Sequence, residues 1–326
     1  MQKLKLFLAR FDRRSRWLLL ILALLFVALL RPTFPLQQDI MNSIFVIDIS
    51  QSMNTRDYRI GDKPISRMQM VRDILKRSLA EMPCGSRIGL AIFAEYRSFL
   101  LLAPVEVCSS YAELSASINQ INGKMAWAGG SEIAKGLNWG LKMAVAVEPR
   151  PSLVFFTDGH EAPPISWRNR PRIDVKPGEV RGILIGVGGN ELSPIPKFDP
   201  DGNALGYWHA DEVAQIDVFS QGRGGSVSGE TMAGTEASNN ESKKRVGTEH
   251  LSSVKEAYLR QLAQENGLSY ALLAPSSNLV KVLSAGGATQ RAPVPRPIGW
   301  VPALLALIGL VTLYFWRVQN NPSLGK

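Results

Sequence analysis

The sequence predicts an α/β fold with a doubly wound, mainly parallel sheet, one antiparallel edge strand and two flanking transmembrane helices. Through the middle of the 326-residue chain, short apolar runs alternate with amphipathic segments, as in parallel sheets that helices cover on both faces. Two longer apolar runs lie outside this region, one near each end of the chain. Two of the short runs end on an acidic residue, which indicates a polar site at one edge of the sheet.

The first half of the alternating region predicts a strand, a helix and a hairpin. The stretch SIFVID, residues 43–48, is predicted to be a buried strand, and residues 66–82 have helical spacing of their apolar side chains. The runs RIGLAIF (87–93) and SFLLLAP (98–104) are separated by only four residues, AEYR. So short a connection predicts an antiparallel hairpin, which supplies the antiparallel edge strand.

The second half continues the alternation and completes a Rossmann-like order of strands and helices. Helices are predicted at 111–121, 131–147 and 253–267, and strands at 152–159, 180–189 and 268–273. Residues 220–250 contain almost no apolar side chains, which predicts a disordered surface insertion. The stretch DPDGN, residues 199–203, lacks the remaining ligands of a calcium loop and therefore predicts a hairpin turn.

The distribution of charge argues against a nucleic-acid-binding protein. The net charge is +9, but nine basic residues lie in or beside the terminal segments, and the rest of the chain is close to neutral. Residues 1–16 hold six of these basic residues against a single acid. A basic tail beside an apolar run is typical of the cytoplasmic side of a membrane protein, so the charge indicates membrane orientation.

Both long apolar runs are interpreted as transmembrane helices. The first run, 17–30, is short for a span, and a cleaved signal peptide is the alternative. No small-x-small cleavage site follows it, and the apolar residues of 33–36 extend it to about 20 residues, so an uncleaved span at 17–36 is favoured. The second span is predicted at 297–316, with tryptophan near one end and tyrosine and tryptophan at the other.

This topology predicts a protein of the bacterial inner membrane with two spans. Residues 1–16 and 317–326 form cytoplasmic tails, and 40–285 form a periplasmic domain. The two cysteines, Cys84 and Cys108, lie at similar distances beyond the predicted hairpin. They are close enough for a disulfide if the hairpin forms, and two unpaired thiols are the alternative.

Two predicted strands end on acids, Asp48 and Asp158, and both acids should lie at the carboxyl edge of the sheet. Ser50 and Ser52 follow Asp48 in the pattern D-x-S-x-S, and Ser131 opens a predicted helix in GGSEIAKGL. Carboxylate and hydroxyl oxygens suit Mg²⁺, Mn²⁺ or Ca²⁺. Taken singly, Ser131 and the acids are equally compatible with helix caps.

The three stretches DISQSM, GGSEIAKGL and FFTDG, in this order on an α/β pattern, resemble a von Willebrand factor type A domain. The resemblance implies a metal-ion-dependent adhesion site that binds a divalent cation, Mg²⁺ before Mn²⁺ or Ca²⁺, and a protein partner that supplies an acidic residue to the metal. Ser131 stands where the family usually has threonine, and the insertion 220–250 also departs from the pattern. The residues that correspond to the family's ligands are Asp48, Ser50, Ser52, Ser131 and Asp158.

Two spans around one such domain resemble bacterial membrane proteins encoded near MoxR-type ATPases. The phrases DISQSMNTRDY, KMAWAGGSEIAKGL and GVGGNELSPIPKFDPDG are similar to the MxaL-like members of methanol dehydrogenase clusters. This resemblance implies a role in maturing a periplasmic enzyme, including its metal loading. It also implies a MoxR-type ATPase system and methanol dehydrogenase as partners.

The sequence predicts a binding protein and not an enzyme. Phosphatases with an aspartyl nucleophile need a second acid where Ser50 stands, and no Gly-x-Ser-x-Gly motif is present. The three histidines lack metal-ligand spacing. His160 follows Asp158 closely and could face the site, but it is interpreted as a solvated loop residue. Two alternatives stay open: a structural membrane scaffold with a non-functional metal site, and a metal-dependent hydrolase.

Overall fold

The computed structural model describes residues 12–126, 129–165, 171–199, 202–215 and 247–320. The chain divides into two compact units. The larger unit is Asp39–Gln290, and the smaller combines Met1–Gln38 with Arg291–Lys326. The predicted insertion at 220–250 lies outside the described residues, apart from its last four positions.

The described helices are α1 (Arg13–Leu29), α2 (Arg67–Glu81), α3 (Tyr111–Gln120), α4 (Ile133–Ala146), α5 (Glu256–Glu265), α6 (Leu279–Ala285) and α7 (Trp300–Asn320). Short 3₁₀ helices cover Gln51–Asn54 and Gly123–Met125. The described strands are β1 (Thr33–Asp48), β2 (Tyr58–Ile60), β3 (Lys63–Ile65), β4 (Arg87–Ala94), β5 (Arg97–Glu106), β6 (Ser152–Thr157), β7 (Gly182–Gly186), β8 (Ser193–Pro194), β9 (Pro196–Phe198), β10 (Ala204–Tyr207), β11 (Leu251–Ser252), β12 (Ser269–Leu272) and β13 (Thr289–Pro297).

Among the described residues, the central sheet has seven strands, and the prediction of a mainly parallel sheet is confirmed. Its strand order is β12-β7-β6-β1-β4-β5, with β13 also pairing with β1. The strands from β12 to β4 run parallel, and β5 pairs antiparallel with β4 at the edge. In the predicted hairpin, Ala94 and Arg97 of AEYR pair with each other, so the turn itself contains only Glu95 and Tyr96.

Strand β1 shows why both faces of the sheet need helices. Its residues Phe45 and Ile47 belong to one apolar core cluster, and the alternating residues Ile44 and Val46 belong to a second one. The first cluster includes side chains from α2, α3 and α6, and the second includes side chains from α4 and α5. Successive residues of a strand point to opposite faces, so an apolar run of this kind is stable only when both faces are covered.

The predicted helix at 66–82 and the predicted turn at 199–203 both agree with the structure. Helix α2 begins after Ser66, whose hydroxyl accepts the backbone N–H of Gln69 as an N-cap. Strands β9 and β10, which flank the predicted turn at 199–203, pair antiparallel. The backbone N–H of Asn203 there donates to Asp199 Oδ1 over 2.7 Å, so the hairpin interpretation of DPDGN is confirmed.

Cys84 and Cys108 form a disulfide with a Cα–Cα distance of 5.3 Å. They lie just beyond the paired ends of β4 and β5, because Arg87 pairs with Glu106. The bridge closes a loop with a sequence separation of 24 residues. By the chain-entropy estimate, such a loop contributes about 3 kcal/mol to stability.

The smaller unit contains the two apolar helices, whose limits differ from the predicted spans. The predicted span 17–36 was wrong at its end, because α1 stops at Leu29 and residues 33–36 belong to β1. Arg31 has a φ of 48° and Pro32 follows it, and neither residue continues a helix. In place of 297–316, α7 covers Trp300–Asn320. Among the described residues, no helix combines the length and apolar character that crossing a membrane requires.

The two helices of this unit pack against each other at small residues. Ile21 of α1 and Ala306 of α7 are buried, and a Cβ on Gly309 would lie 3.1 Å from Ile21 Cγ1. Both helices also expose apolar side chains on their other faces. The large ones include Trp17, Leu22, Phe26, Trp300, Leu307 and Phe315.

Candidate functional site

Asp48 and Asp158 lie at the carboxyl ends of neighbouring parallel strands. Asp48 is the last residue of β1, and Asp158 follows directly after β6. The two strands pair in register, with Ile47 opposite Phe156, so both acids reach the same edge of the sheet. Each is fully buried. The sequence prediction that these two acids converge is therefore correct in position.

The loop after β1 turns back toward Asp48 and places two hydroxyls beside it. The backbone N–H of Ser50 donates to Asp48 Oδ1 over 2.8 Å, and Thr157 Oγ1 donates to Asp48 Oδ2 over 2.7 Å. Ser50 is the N-cap of the following 3₁₀ helix, and its Oγ lies 3.2 Å from Ser52 Oγ. Both serines are buried at this edge of the sheet.

Ser131 comes to the same edge from the segment that precedes α4. Its backbone N–H donates to Ala162 O over 2.7 Å, and the Ala162 N–H donates back to Ser131 O over 2.8 Å. This pairing fixes Ser131 beside the loop that follows Asp158. The Ser131 side chain is 2% exposed, yet its Oγ has no hydrogen-bond partner among the described residues. A buried hydroxyl without a partner is costly and points to a ligand that completes it.

Arg67 is a residue of the site that the sequence did not reveal. Its side chain is fully buried, and its Nη1 donates to Asp158 Oδ2 over 2.6 Å. Its Nε and Nη2 donate to Asp57 Oδ2 over 2.9 and 2.7 Å. Position 67 lies four residues before Val71, on the buried face of α2. An arginine on an otherwise apolar helix face is the sequence feature that could have predicted its burial.

The other end of the guanidinium reaches the strand that follows the insertion. Arg67 Nη1 donates to Ser252 Oγ over 2.7 Å, and Nη2 donates to Ser252 O over 3.1 Å. Ser252 Oγ in turn donates to Asp158 Oδ2 over 3.2 Å. Short strand β11 is thus attached to the site through one buried network.

The two buried acids have opposite pKa shifts. Burial and the nearby negative charge of Asp158 raise the pKa of Asp48 to about 7, although Ser50 and Thr157 donate to it. Burial also acts to raise the pKa of Asp158, but the Arg67 guanidinium outweighs it and holds that pKa below its ordinary value. Among the described residues, Asp158 has a cationic partner and Asp48 has none.

Glu161 was also missed, and it fixes the start of α4 next to Ser131. Its carboxylate accepts the backbone N–H of Ile133 over 2.8 Å and of Ala134 over 3.2 Å. The Tyr258 hydroxyl donates to the same carboxylate. Burial raises the pKa of Glu161 to about 7 against these three donors. A glutamate far along the chain from the helix it caps leaves no local sequence signal.

A cleft of about 310 Å³ opens over this edge of the sheet. The hydroxyl residues Ser50, Ser52 and Ser131 line one side of it. His160 also lines the cleft, and it is only 3% exposed, so its interpretation as a solvated loop residue was wrong. Burial lowers the pKa of His160, and its Nδ1 has no hydrogen-bond partner among the described residues.

The chemistry of these side chains fits a hard divalent cation. The structure brings two carboxylates and three hydroxyls to one edge of the sheet, and all five side chains are buried. The Ser131 hydroxyl is left without a hydrogen-bond partner among the described residues, and burial together with the charge of Asp158 raises the pKa of Asp48, which a nearby cation would lower. Oxygen donors of this kind suit Mg²⁺, Mn²⁺ and Ca²⁺ better than softer metals. The five residues are Asp48, Ser50, Ser52, Ser131 and Asp158.

Comparison with known families supports the same region. Residues 43–160 match the family described as von Willebrand factor type A domain. The chain contains a von Willebrand factor type A domain. The matched range runs from the strand that carries Asp48 to the loop after Asp158, so it includes all five candidate ligands. No curated protein sequence matches the chain.

Solved structures with similarity to the chain include three proteins of low sequence identity. An aerotolerance-related membrane protein from Bacteroides fragilis is 16% identical, covers 76% of this chain and 98% of its own, and has a TM-score of 0.46. BatB from Bacteroides thetaiotaomicron is 16% identical, with 76% and 97% coverage and a TM-score of 0.47. An uncharacterized membrane spanning protein from Vibrio fischeri is 14% identical, with 76% and 97% coverage and a TM-score of 0.28.

Proposed function

We propose that the von Willebrand factor type A domain binds a protein partner through a divalent cation, and that the partner supplies a carboxylate to this cation. The ion is Mg²⁺ in the first instance, with Mn²⁺ and Ca²⁺ as alternatives. The arrangement is a metal-ion-dependent adhesion site. The residues proposed to hold the ion are Asp48, Ser50, Ser52, Ser131 and Asp158.

The balance of charge around Asp158 is the observation that carries this proposal. Arg67 forms a buried ion pair with Asp158, so the charge of that carboxylate is already offset within the protein. Asp48 makes no ion pair within the described part of the chain, and serine hydroxyls are neutral. A divalent cation would therefore keep about one positive charge, because only Asp48 offsets it. An anionic group of a partner is the complementary ligand.

Calorimetric titration of the full-length chain with MgCl₂, MnCl₂ and CaCl₂ tests the metal assignment. Asp48→Ala is expected to abolish binding, because it removes the one carboxylate of the set that lacks a cation. Asp73→Ala is the matched control, since Asp73 lies on the surface of α2 beside Lys76. Equal Mg²⁺ affinity in the wild type and in Asp48→Ala contradicts the proposal.

We also propose that α1 and α7 attach the domain to the bacterial inner membrane, with the domain in the periplasm. The two helices pack against each other through small residues, but they expose large apolar side chains such as Phe26 and Trp300. Contiguous apolar surface of this size is unfavourable in water and favourable in a lipid layer. The disulfide between Cys84 and Cys108 is suited to an oxidising compartment such as the periplasm.

The MxaL-like phrases of the sequence extend the proposal to a client. On that resemblance, the partner is methanol dehydrogenase, the action is its maturation and metal loading, and a MoxR-type ATPase takes part. A deletion strain is expected to produce the dehydrogenase protein but leave it inactive or poor in calcium. A fully active, calcium-loaded enzyme in the deletion strain contradicts this part of the proposal and leaves the metal-dependent binding intact.

Metal titration also separates the proposal from its alternatives. A structural membrane scaffold with a non-functional metal site is expected to bind no divalent ion in the titration. A metal-dependent hydrolase would need a nucleophile or a base, and we propose no enzymatic activity. Turnover of a phosphate ester that is lost in Asp48→Ala would favour the hydrolase.

A further inference from the structure

Part of the cleft wall comes from residues 193–199 and 202–215, here named the cover segment. It contains β8, β9 and β10 and contributes Ile195, Trp208 and Val213 to the cleft. Ile195 is 5% exposed, so it is part of a packed wall. The cover segment therefore adds an apolar surface directly beside the polar residues of the site.

Trp208 is held in this wall by contacts on several sides. Its indole N–H donates to Gln51 Oε1. Gln51 is the first residue of the 3₁₀ helix and lies in the sequence between the candidate metal ligands Ser50 and Ser52. The backbone N–H of Trp208 donates to Ile195 O over 3.1 Å. The Lys197 ammonium lies 4.5 Å from the centre of its ring. Such a side chain presents a fixed apolar surface, and fixed aromatic surfaces are favoured at binding sites.

The acidic residues that line the cleft have partners of their own. Glu212 pairs with Lys197, and Glu161 accepts three donors. Glu249 Oε2 lies 3.8 Å from His160 Nε2. The apolar side chains of the cover segment are therefore the part of this wall that a partner side chain can contact without displacing an existing ion pair.

We propose that the cleft receives two adjoining side chains of one partner protein: an acidic one at the metal and a large apolar one against Ile195, Trp208 and Val213. The proposal rests on the proposed function and adds the class of partner, a protein that exposes an acidic residue next to an apolar one. The cleft volume of about 310 Å³ is near the lower limit for ligand pockets, so it suits one or two side chains. A residual positive charge at the ion favours the acid, and the apolar wall favours its neighbour.

Selection from a phage-displayed library of random peptides tests the proposal. The bait is the full-length chain in mild detergent with MgCl₂, and an identical selection with EDTA identifies metal-dependent binders. Enrichment of Asp or Glu beside Leu, Ile, Phe or Trp is the expected result. Enrichment of the acid without an apolar neighbour overturns the inference and leaves the proposed function standing. Binders that show no preference for an acid, or no enrichment over an Asp48→Ala bait, count against both.

Variants of the wall separate apolar recognition from folding. Trp208→Ala is expected to reduce the affinity for a selected peptide about tenfold. For a version of that peptide with Gly in place of its apolar residue, Trp208→Ala should change the affinity little. Trp208→Phe keeps an apolar ring without the indole N–H and is expected to retain most of the affinity. Val213→Thr keeps the shape and is expected to weaken the same preference. Leu205→Ala is the control, because Leu205 lies on β10 and is 59% exposed outside the cleft.

Calorimetric Mg²⁺ titration of each wall variant serves as the folding control, since none of these residues belongs to the proposed ligand set. Unchanged Mg²⁺ affinity together with a lost apolar preference supports the wall assignment. A Trp208→Ala variant that binds Mg²⁺ normally and keeps the full apolar preference refutes it. If Trp208→Ala loses Mg²⁺ binding, the comparison between Val213→Thr and Leu205→Ala decides, because neither changes a hydrogen bond to the site.

Discussion

Arg67 Nη1 lies 2.6 Å from Asp158 Oδ2, and neither side chain is exposed to solvent. The same guanidinium also binds Asp57 and Ser252, so one buried cation connects α2 with the loop after β1, the end of β6 and β11. Burial of an ion pair is costly unless each charge is well paired, and here each remaining donor of Arg67 has an acceptor. Arg67 is thus both the charge partner of Asp158 and a structural centre of the site.

Arg67→Leu is expected to lower the free energy of unfolding by about 3–5 kcal/mol, because it leaves Asp158 buried without its cation. Arg77→Leu is the control on the same helix, since Arg77 is exposed and makes one long contact to Pro275 O. Its effect should stay within about 0.5 kcal/mol. Urea unfolding followed by circular dichroism measures both. Similar stability losses in the two variants contradict the structural role of Arg67.

The Ser131 hydroxyl is predicted to be a metal ligand, so its substitutions should separate by chemistry. Ser131→Thr keeps the hydroxyl and is expected to preserve or tighten Mg²⁺ binding. Ser131→Ala is expected to weaken it about tenfold, the effect of losing one polar interaction of about 1.4 kcal/mol. Calorimetry on both variants provides the measurement. Ser109→Ala is the control for an exposed serine, and equal affinity in Ser131→Ala and the wild type excludes Ser131 from the ligand set.

Glu161 predicts a pH dependence of stability. Burial raises its pKa from 4.5 to about 7 in the folded protein. Between these values the folded state retains a proton that the unfolded chain has released, so the folded state is favoured at low pH. The stabilising contribution is complete below pH 4.5 and is lost as the pH rises to about 7. A shift of this size corresponds to about 3 kcal/mol.

Glu161→Gln keeps an oxygen acceptor for the α4 N–H groups but does not titrate. The difference in unfolding free energy between the wild type and this variant is therefore expected to change by about 3 kcal/mol between pH 4.5 and about pH 7. Denaturant unfolding at several pH values measures it. Glu113→Gln, at an exposed position on α3, is the control. Parallel stability curves for the wild type and Glu161→Gln show that Glu161 does not titrate in this range.

The proposed membrane orientation predicts where reporter enzymes are active. Alkaline phosphatase inserted within 40–285 should be active, because this reporter folds only in an oxidising compartment such as the periplasm. Resistance of the full-length chain to alkaline carbonate extraction is expected for a protein held by α1 and α7. An inactive reporter within 40–285, or a mature chain that begins beyond Leu30, contradicts the proposed attachment and placement.

The sequence allowed the sheet and the convergence of the five candidate ligands to be predicted. Apolar runs such as 43–48 can be stable only in a sheet covered on both faces, and the ends of parallel strands meet at one edge. Arg67 was not predicted, because a charged residue is normally assigned to the surface. Its burial depends on Asp57 and Asp158, which are distant in sequence and become its neighbours only after folding.

Apart from the turn at 199–203, the strands of the cover segment were not predicted, for a different physical reason. Its strands β8, β9 and β10 contain two to four residues each, too few for a period-2 pattern to be recognised. The end of α1 was misplaced because the apolar composition of 33–36 was given more weight than Pro32. Residues of similar hydropathy can extend a helix or begin a strand, and backbone chemistry at proline decides between the two.

The alternation of side chains along β1 restricts how this domain can evolve. Phe45 and Ile47 fill one core while Ile44 and Val46 fill the other. An insertion or deletion of one residue before Asp48 would exchange the two sets and misplace the acid in the same step. The need to fold therefore selects against changes in the position of Asp48, even in the absence of selection for partner binding. Length changes between β10 and β11 do not shift the register of the central sheet. New partner preferences can therefore arise there while the sheet stays unchanged.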